Sequence, residues 1–329
     1  MTQFRTPVKI PESPIKITYR EHPFLLGSCF TLNIGEKLQY FKFPSSVNPL
    51  GVLYNPVSVA NGLKLLIRNP KVTKEDLWFE DPLWLSFFHD TSFSGMDPQL
   101  VLSKINTSLE EHSKWLQNTK FLFISLGTAW VYRHKKTGLI VSNNHKIPAR
   151  EFERFRLSVD EIVKDFSEII RKIQQINPAV HIIFTVSPVR HLKDGASENQ
   201  VSKSTLLLSI DELKKLQKVD YFPSYEIMMD ELRDYRFYAP DMIHPGTTGI
   251  DYIWQRFEET YITDEARRIM KQVEKVNKAF RHRPLNANSE EYKTFAEKQI
   301  HLINSLHQSH PFLDFTEELS FFKKNLSRK

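Results

Sequence analysis

The chain has 329 residues, of which 45 are basic and 39 acidic, so its net charge is only +6 at pH 7. This small surplus is spread along the chain without an aromatic-interleaved basic stripe, so we expect no nucleic acid partner. The single cysteine, Cys29, excludes an intrachain disulfide framework, and no apolar run reaches the roughly eighteen residues that a membrane-spanning helix needs.

The first 20 residues lack the run of about seven apolar residues that marks a secretory signal, so we expect a cytoplasmic protein. Short apolar runs then alternate with longer helical patterns, which predicts an α/β fold with a parallel sheet flanked by helices.

The first half of this pattern contains predicted strands at 24–26, 40–43 and 121–126 and predicted helices at 31–40, 55–68 and 97–117. Asn55 and Asp97 each precede a proline, which is the combination of an N-cap with proline at the first helical position. The aromatic-rich segment at about 78–96 is expected to be a long loop or insertion near the functional site.

The second half contains predicted strands at 180–186 and 219–222 and predicted helices at 158–176, 203–218, 247–261 and 290–307. Ser158 and Glu161 form a capping box at the start of the first of these helices. Residues 263–329 are charged and helix-prone. We therefore expect a catalytic domain of residues 1–262 followed by a helical extension of residues 263–329.

The string Gly27-Ser28-Cys29-Phe30 falls at the turn from the first strand to the first helix. Ser28 would stand at the carboxyl end of a strand, where α/β folds expose ligand-binding groups, and the helix N-terminus would face developing negative charge. A serine after glycine is also a common helix N-cap. Cys29 is an alternative nucleophile, but neighbouring residues on a strand point to opposite sides, so we expect the thiol to be buried.

Asp241 and His244 lie three residues apart between Pro240 and Pro245, which predicts a rigid loop. In such a loop the carboxylate can hold the Nδ1–H of the histidine and leave Nε2 free for a serine. An Asp-x-x-His pair alone is commonly structural. Together with Ser28 it predicts nucleophilic catalysis by a serine, a histidine and an aspartate.

These motifs resemble the GSCFA family, within the wider SGNH (GDSL-like) esterase superfamily. The resemblance spans roughly residues 20–260, and its matching strings lie at 26–30, 48–56, 126–130 and 241–245. Thr31 stands where the family name expects alanine. The resemblance implies a flavodoxin-like three-layer α/β/α sandwich with a parallel five-stranded sheet.

The resemblance also implies roles for individual residues. Ser28 would be the nucleophile, His244 the base and then the acid, and Asp241 the group that orients the histidine. The oxyanion would be held by the N–H groups of Ser28 and Gly51 and by an asparagine of the third block. That block reads Gly-Thr-Ala here, so the third donor is left open between Thr128 and Asn48.

Four further residues are candidates for substrate contact. His89 belongs to the aromatic segment, Trp130 follows the third strand, and Arg190 and His191 follow the fourth. Each has a structural alternative: a surface histidine, packing against the last helix, or solvated loop charge. No metal-ligand spacing, no G-x-G-x-x-G and no phosphate-binding loop occurs, so we expect no metal and no cofactor.

The predicted function is therefore a metal-independent serine esterase that cleaves short acyl esters, such as acetyl, through an acyl-enzyme. The expected partner is a small-molecule or carbohydrate ester, with neither nucleic acid nor membrane, and the oligomeric state is left open. Two alternatives are an O-acyltransferase to a sugar hydroxyl and a non-catalytic carbohydrate-binding module on an esterase fold. The missing asparagine motivates the second of them.

Overall fold

Strands and helices alternate through most of the chain in the computed structural model, which describes residues 5–282 and 289–326. In chain order they are β1 (Phe24–Gly27), α1 (Cys29–Tyr40), β2 (Ser46–Val47), α2 (Pro56–Arg68), β3 (Trp78–Glu80), β4 (Leu83–Leu85), α3 (Pro98–Asn118), β5 (Phe121–Leu126), β6 (Trp130–His134), β7 (Ile140–Val141), β8 (Phe152–Arg156), α4 (Val159–Ile176), β9 (His181–Val186), α5 (Ala196–Leu216), β10 (Val219–Tyr221), α6 (Ser224–Glu226), α7 (Thr247–Tyr261), α8 (Asp264–Arg281), α9 (Glu290–Ser309) and α10 (Thr316–Leu326).

The central sheet has five parallel strands in the order β10-β9-β5-β1-β2. From β1 the chain moves outward to β2, whereas from β5 it moves outward in the other direction, to β9 and β10. The strand order therefore reverses between β1 and β5, and this switch point is where open α/β sheets bind ligands. The predicted α/β class with a five-stranded, flavodoxin-like parallel sheet is confirmed.

Both faces of the sheet are covered, as a parallel sheet requires. Phe24 and Leu26 of β1 face a core built with α2 to α5, and Leu25 faces a second core built with α1 and α7 to α10. The carboxyl-terminal helices thus share a core with the sheet. The division into a domain of residues 1–262 and an extension of residues 263–329 stays a prediction. Residues 1–4 of the first and 283–288 and 327–329 of the second lie outside the described residues.

Local signals placed most helix starts correctly. Asn55 Oδ1 accepts a hydrogen bond from the Ser58 N–H at 2.9 Å, and α2 ends at Arg68 as predicted. Asp97 caps α3 in the same way, and Ser158 and Glu161 form the predicted capping box. Such caps satisfy backbone N–H groups that the first turn of a helix leaves unpaired, so they can be read locally.

Three predictions of secondary structure were wrong. Residues 40–43 end α1 instead of forming a strand, because Lys42 adopts a left-handed conformation (φ 62°) and the Phe43 N–H returns to the Leu38 carbonyl. Helix α5 begins at Ala196, seven residues before the predicted start. The segment 78–96 contains the antiparallel β3–β4 hairpin, and a second antiparallel sheet, β7-β6-β8, was not predicted.

Gly27 is required where β1 meets α1. Its φ is +138°, and a Cβ at this position would lie 2.1 Å from the Ser125 carbonyl oxygen on β5. The glycine thus lets β1 and β5 approach closely at the switch point. Among the helices of the described residues, none combines the length and the hydropathy needed to cross a membrane.

Candidate active site

A cavity of about 500 Å³ opens at the carboxyl edge of the central sheet. Its walls include the residues that follow β1, β5 and β9, the turn before α2, and the loop before α7. Cys29, Asn55, Thr128, His191 and His244 represent these five segments. The cavity therefore occupies the switch point.

Ser28 does not reach this cavity. Its side chain is fully buried, and its Oγ lies 2.7 Å from Ser125 Oγ in the hydrogen-bonding pair between β1 and β5. Its backbone N–H donates to the Ser125 carbonyl at 3.0 Å. In this arrangement the predicted serine nucleophile is shielded from a substrate, and its N–H is not free for an oxyanion.

Cys29 takes the place that was expected for Ser28. Its thiol is partly exposed, lines the cavity together with His244, and stands on the first residue of α1. The expectation that the thiol is buried and the serine accessible is thus reversed.

Opposing influences act on the pKa of Cys29. Burial raises this pKa above its usual value, whereas the nearby Lys203 and hydrogen bonds from the backbone N–H groups of Cys29 and Phe30 lower it. Burial prevails, so the thiol keeps its proton near neutral pH and needs a base to become a strong nucleophile.

The loop before α7 supplies a base with a fixed orientation. His244 Nδ1 lies 2.6 Å from Asp241 Oδ2, and Asp241 Oδ1 accepts the backbone N–H groups of Ile243 and His244 at 2.9 and 3.0 Å. These hydrogen bonds lower the pKa of Asp241 to about 2, and the bond from the His244 backbone N–H has the largest effect. The carboxylate is therefore ionised and holds the imidazole by Nδ1, which leaves Nε2 free to take a proton.

Lys203 of α5 lies beneath this site and was not recognised in the sequence as part of it. It is fully buried, and its ammonium donates 2.7 Å hydrogen bonds to the carbonyls of Gly127 and Ser187, just beyond β5 and β9. Burial lowers its pKa to about 7, Arg190 adds to this effect, and Cys29 opposes it. Helical spacing with Leu206 and Ile210 could have indicated that Lys203 faces inward.

The predicted oxyanion donors are mostly engaged elsewhere. The Gly51 N–H donates to the Asn48 carbonyl at 2.9 Å, and the glycine serves a left-handed turn (φ +81°) packed against the Asp90 carboxylate. Asn48 Oδ1 accepts the Gly27 N–H at 2.8 Å. Its Nδ2 is buried and has no partner among the residues that the structure describes, but Asn48 does not line the cavity.

Thr128 does line the cavity, but its N–H is also engaged. Its N–H donates to the Tyr54 carbonyl at 3.2 Å, and its Oγ1 pairs with Ser202 Oγ at 3.1 Å and accepts the Trp130 N–H. None of the four predicted residues, Ser28, Gly51, Asn48 and Thr128, offers a free backbone N–H to the cavity.

Trp130 and His191 line the cavity, and their contact with a substrate stays a prediction. The Arg154 guanidinium lies 4.3 Å from the centroid of a Trp130 ring and pairs with Asp194, so a cation already occupies one face of this tryptophan. Burial, with smaller effects from Lys203 and His244, lowers the pKa of His191 to about 4, so its ring is neutral at pH 7.

His89 and Arg190 do not line the cavity. His89 is buried in the core, where its Nδ1 lies 2.8 Å from Ser86 Oγ and burial lowers its pKa to about 4. The Arg190 side chain points toward Asn199 Oδ1 at 3.5 Å, and its N–H donates to the Ile243 carbonyl. The aromatic segment 78–96 likewise stays outside the cavity.

A second groove, of about 640 Å³, lies between α1, α7 and α8. Its ionic side chains are mixed in sign, as in the Lys37–Asp251 pair, and neither a cysteine nor a histidine lines it. Across residues 5–282 and 289–326 no group of three or more histidine, cysteine, aspartate or glutamate side chains could hold a metal ion. Of these two grooves, only the switch-point cavity is lined by a cysteine and by histidines.

The fold and the site define an open α/β protein whose switch-point cavity holds a thiol and an Asp-paired histidine. The sequence model of the GSCFA family matches residues 23–257, and that of the GSCFA domain protein, C-terminal domain, matches residues 273–328. The chain belongs to the GSCFA family, as its motifs predicted.

Comparisons with individual proteins are less informative. No curated protein has a significant sequence match to the chain. Among solved structures, an acetyl xylan esterase (Est2A) from the rumen bacterium Butyrivibrio proteoclasticus matches with 12% identity and a TM-score of 0.34. The match covers 74% of this chain and 64% of that one. A likeness at this level supports no conclusion about activity.

Proposed function

We propose that the protein hydrolyses carboxylic esters through a covalent acyl intermediate and that Cys29 carries the acyl group. One observation carries this proposal: the partly exposed thiol of Cys29 and the Asp241-oriented imidazole of His244 line the same cavity. A nucleophile, a base and an orienting group are the three parts that nucleophilic catalysis requires.

In the first half-reaction, His244 Nε2 takes the thiol proton while Cys29 Sγ attacks the ester carbonyl carbon. The tetrahedral intermediate collapses to a thioester, and the alcohol leaves with the proton from His244. In the second half-reaction, His244 takes a proton from water, which attacks the thioester. The acid departs, and the proton returns to Cys29.

The cavity is suited to a short acyl group on a sugar. Its volume of about 500 Å³ is in the range of small-ligand sites, and its walls combine rings and side-chain amides. The rings belong to Tyr54, Trp130 and Tyr132, and the amides to Asn55, Asn143, Asn144 and Asn199. Aromatic rings suit the apolar face of a sugar and amides its hydroxyl groups, which favours a carbohydrate ester such as an acetylated sugar.

Acyl transfer to a sugar hydroxyl would use the same thioester and differ only in the nucleophile of the second half-reaction. Adding a sugar acceptor to the assay distinguishes the two, because transfer forms a new sugar ester at the expense of free acid. A non-catalytic binding module would form no thioester at all.

The test compares two neighbouring substitutions, Cys29→Ala and Ser28→Ala, with p-nitrophenyl acetate and an acetylated sugar as substrates. We expect Cys29→Ala to abolish hydrolysis and Ser28→Ala to retain it, with circular dichroism confirming that both variants fold. Mass spectrometry of the quenched reaction should place the acetyl group on Cys29, and His244→Ala should prevent its transfer.

The opposite pattern, an inactive Ser28→Ala and an active Cys29→Ala, would restore the serine as nucleophile and overturn our assignment. Absence of any acylated residue in folded wild-type protein would favour the binding module.

A further inference from the structure

Asn55 has a free amide nitrogen in the cavity. Its side chain is more than nine-tenths buried and lines the cavity. Its Oδ1 accepts the Ser58 N–H at 2.9 Å as the cap of α2, whereas its Nδ2 has no hydrogen-bond partner among the described residues. The capping bond also fixes the orientation of the amide, because only the oxygen can accept from an N–H.

The turn before Asn55 is tied to both strands that flank the switch point. The Leu53 N–H donates to the Gly27 carbonyl at 2.9 Å, and the Tyr54 carbonyl accepts the N–H groups of Gly127 and Thr128 at 2.8 and 3.2 Å. Asn55 is therefore held between the ends of β1 and β5, and Cys29 begins the helix that leaves β1. Because α2 and α1 pack on opposite faces of the sheet, Asn55 and Cys29 enter the cavity from opposite sides.

We propose that the Asn55 amide donates a hydrogen bond to the oxyanion that forms when Cys29 attacks the ester carbonyl. This inference rests on the proposed function. The donor is preorganised, because the capping bond holds it in place before substrate arrives, and such donors stabilise developing charge without reorganisation. The positive end of the α2 dipole acts in the same direction.

The double role of Asn55 allows the cap and the donor to be separated. Asn55→Asp and Asn55→Ser both keep an oxygen that can cap α2, but each removes the amide N–H groups. We expect both to lower the rate of Cys29 acetylation by p-nitrophenyl acetate by about 10²–10³-fold, with a thermal midpoint close to that of the wild type. Asn55→Ala should lose both functions.

Asp97→Ala is the matched control for capping alone. Asp97 caps α3 and precedes a proline, as Asn55 does for α2, but it does not line the cavity. We expect this variant to lose stability and to keep the wild-type acetylation rate.

Alkylation by iodoacetamide separates an oxyanion role from a general effect on the thiol. The displacement of iodide forms no oxyanion, so the alkylation rate of Asn55→Ser should stay near that of the wild type while its acetylation rate falls. Acetylation at the wild-type rate, or a parallel fall in both rates, would overturn the assignment.

A failure of the proposed function would look different. In that case Cys29→Ala would still hydrolyse the ester, whatever the Asn55 variants do. The inference about Asn55 fails by itself when Cys29→Ala is inactive and Asn55→Ser is fully active.

Discussion

Replacing Lys203 by methionine should change the pH dependence of stability. The lysine is fully buried, and within the described part of the chain it has carbonyl partners but no carboxylate partner. Its pKa in the folded protein is about 7, mainly because of burial, against 10.5 for an unperturbed lysine. Between these two pH values the unfolded chain binds the proton and the folded protein does not.

The sign and size of the effect follow from this difference. Because the unfolded state binds more protons, the free energy of unfolding rises with pH between 7 and 10.5. At about 1.4 kcal/mol per pH unit the full rise is about 5 kcal/mol, and about 2 kcal/mol of it falls between pH 7 and 9. The raised pKa of Cys29 acts in the opposite direction at higher pH, which makes the interval from 7 to 9 the informative one.

Urea unfolding followed by tryptophan fluorescence at pH 6 to 9 would measure how the free energy of unfolding changes with pH. The wild type should gain about 2 kcal/mol over Lys203→Met between pH 7 and 9. The variant also leaves the carbonyls of Gly127 and Ser187 without a donor, at about 1–3 kcal/mol each, but this loss does not depend on pH.

Lys193→Met is the control, since Lys193 is exposed and donates to Tyr132 at the rim of the cavity. Its difference from the wild type should stay constant with pH. A constant difference for Lys203→Met as well would refute the reasoning, because it would mean that the buried ammonium keeps its proton.

Two further predictions concern the site. Asp241→Asn keeps an oxygen for the loop N–H groups but loses the charge that orients His244. The rate of ester hydrolysis should therefore fall about 10²–10⁴-fold with little change in KM. An unchanged kcat would show that Asp241 does not orient the base. Ser125→Ala should cost about 1–3 kcal/mol in urea unfolding, because it leaves Ser28 Oγ buried without a partner. Ser28→Ala combined with Ser125→Ala should cost less than the sum of the single changes, and strict additivity would contradict the pairing.

Much of the fold could be predicted because its signals are local. The caps at Asn55, Asp97 and Ser158 each mark a helix start by residues next to it in the sequence. The β7-β6-β8 sheet was missed because β6 lacks the period-two pattern of a strand: its buried residues, Val131 and His134, lie three positions apart. The sequence does place Gly138 at the turn between β6 and β7, where the structure shows a left-handed conformation.

Which of Ser28 and Cys29 faces the cavity could not be predicted by the same reasoning. Ser28 and Cys29 do point to different sides, but both lie beyond β1, as the N-cap and the first residue of α1, so strand alternation does not say which of them faces the cavity. An amphipathic strand would answer this, because its polar residues face outward. Strand β1 is buried on both faces, so its sequence contains no such reference.

The surroundings of Cys29 also determine how it would be activated. A thiol whose pKa is raised by burial does not rest as a thiolate paired with an imidazolium ion, so His244 must remove the proton as the attack proceeds. The first N–H groups of α1, together with Lys203 below about pH 7 where it keeps its proton, then stabilise the charge that appears on the sulfur. Under this mechanism the site stays unreactive until a carbonyl carbon is in place, and the specificity of the cavity decides which esters are cleaved.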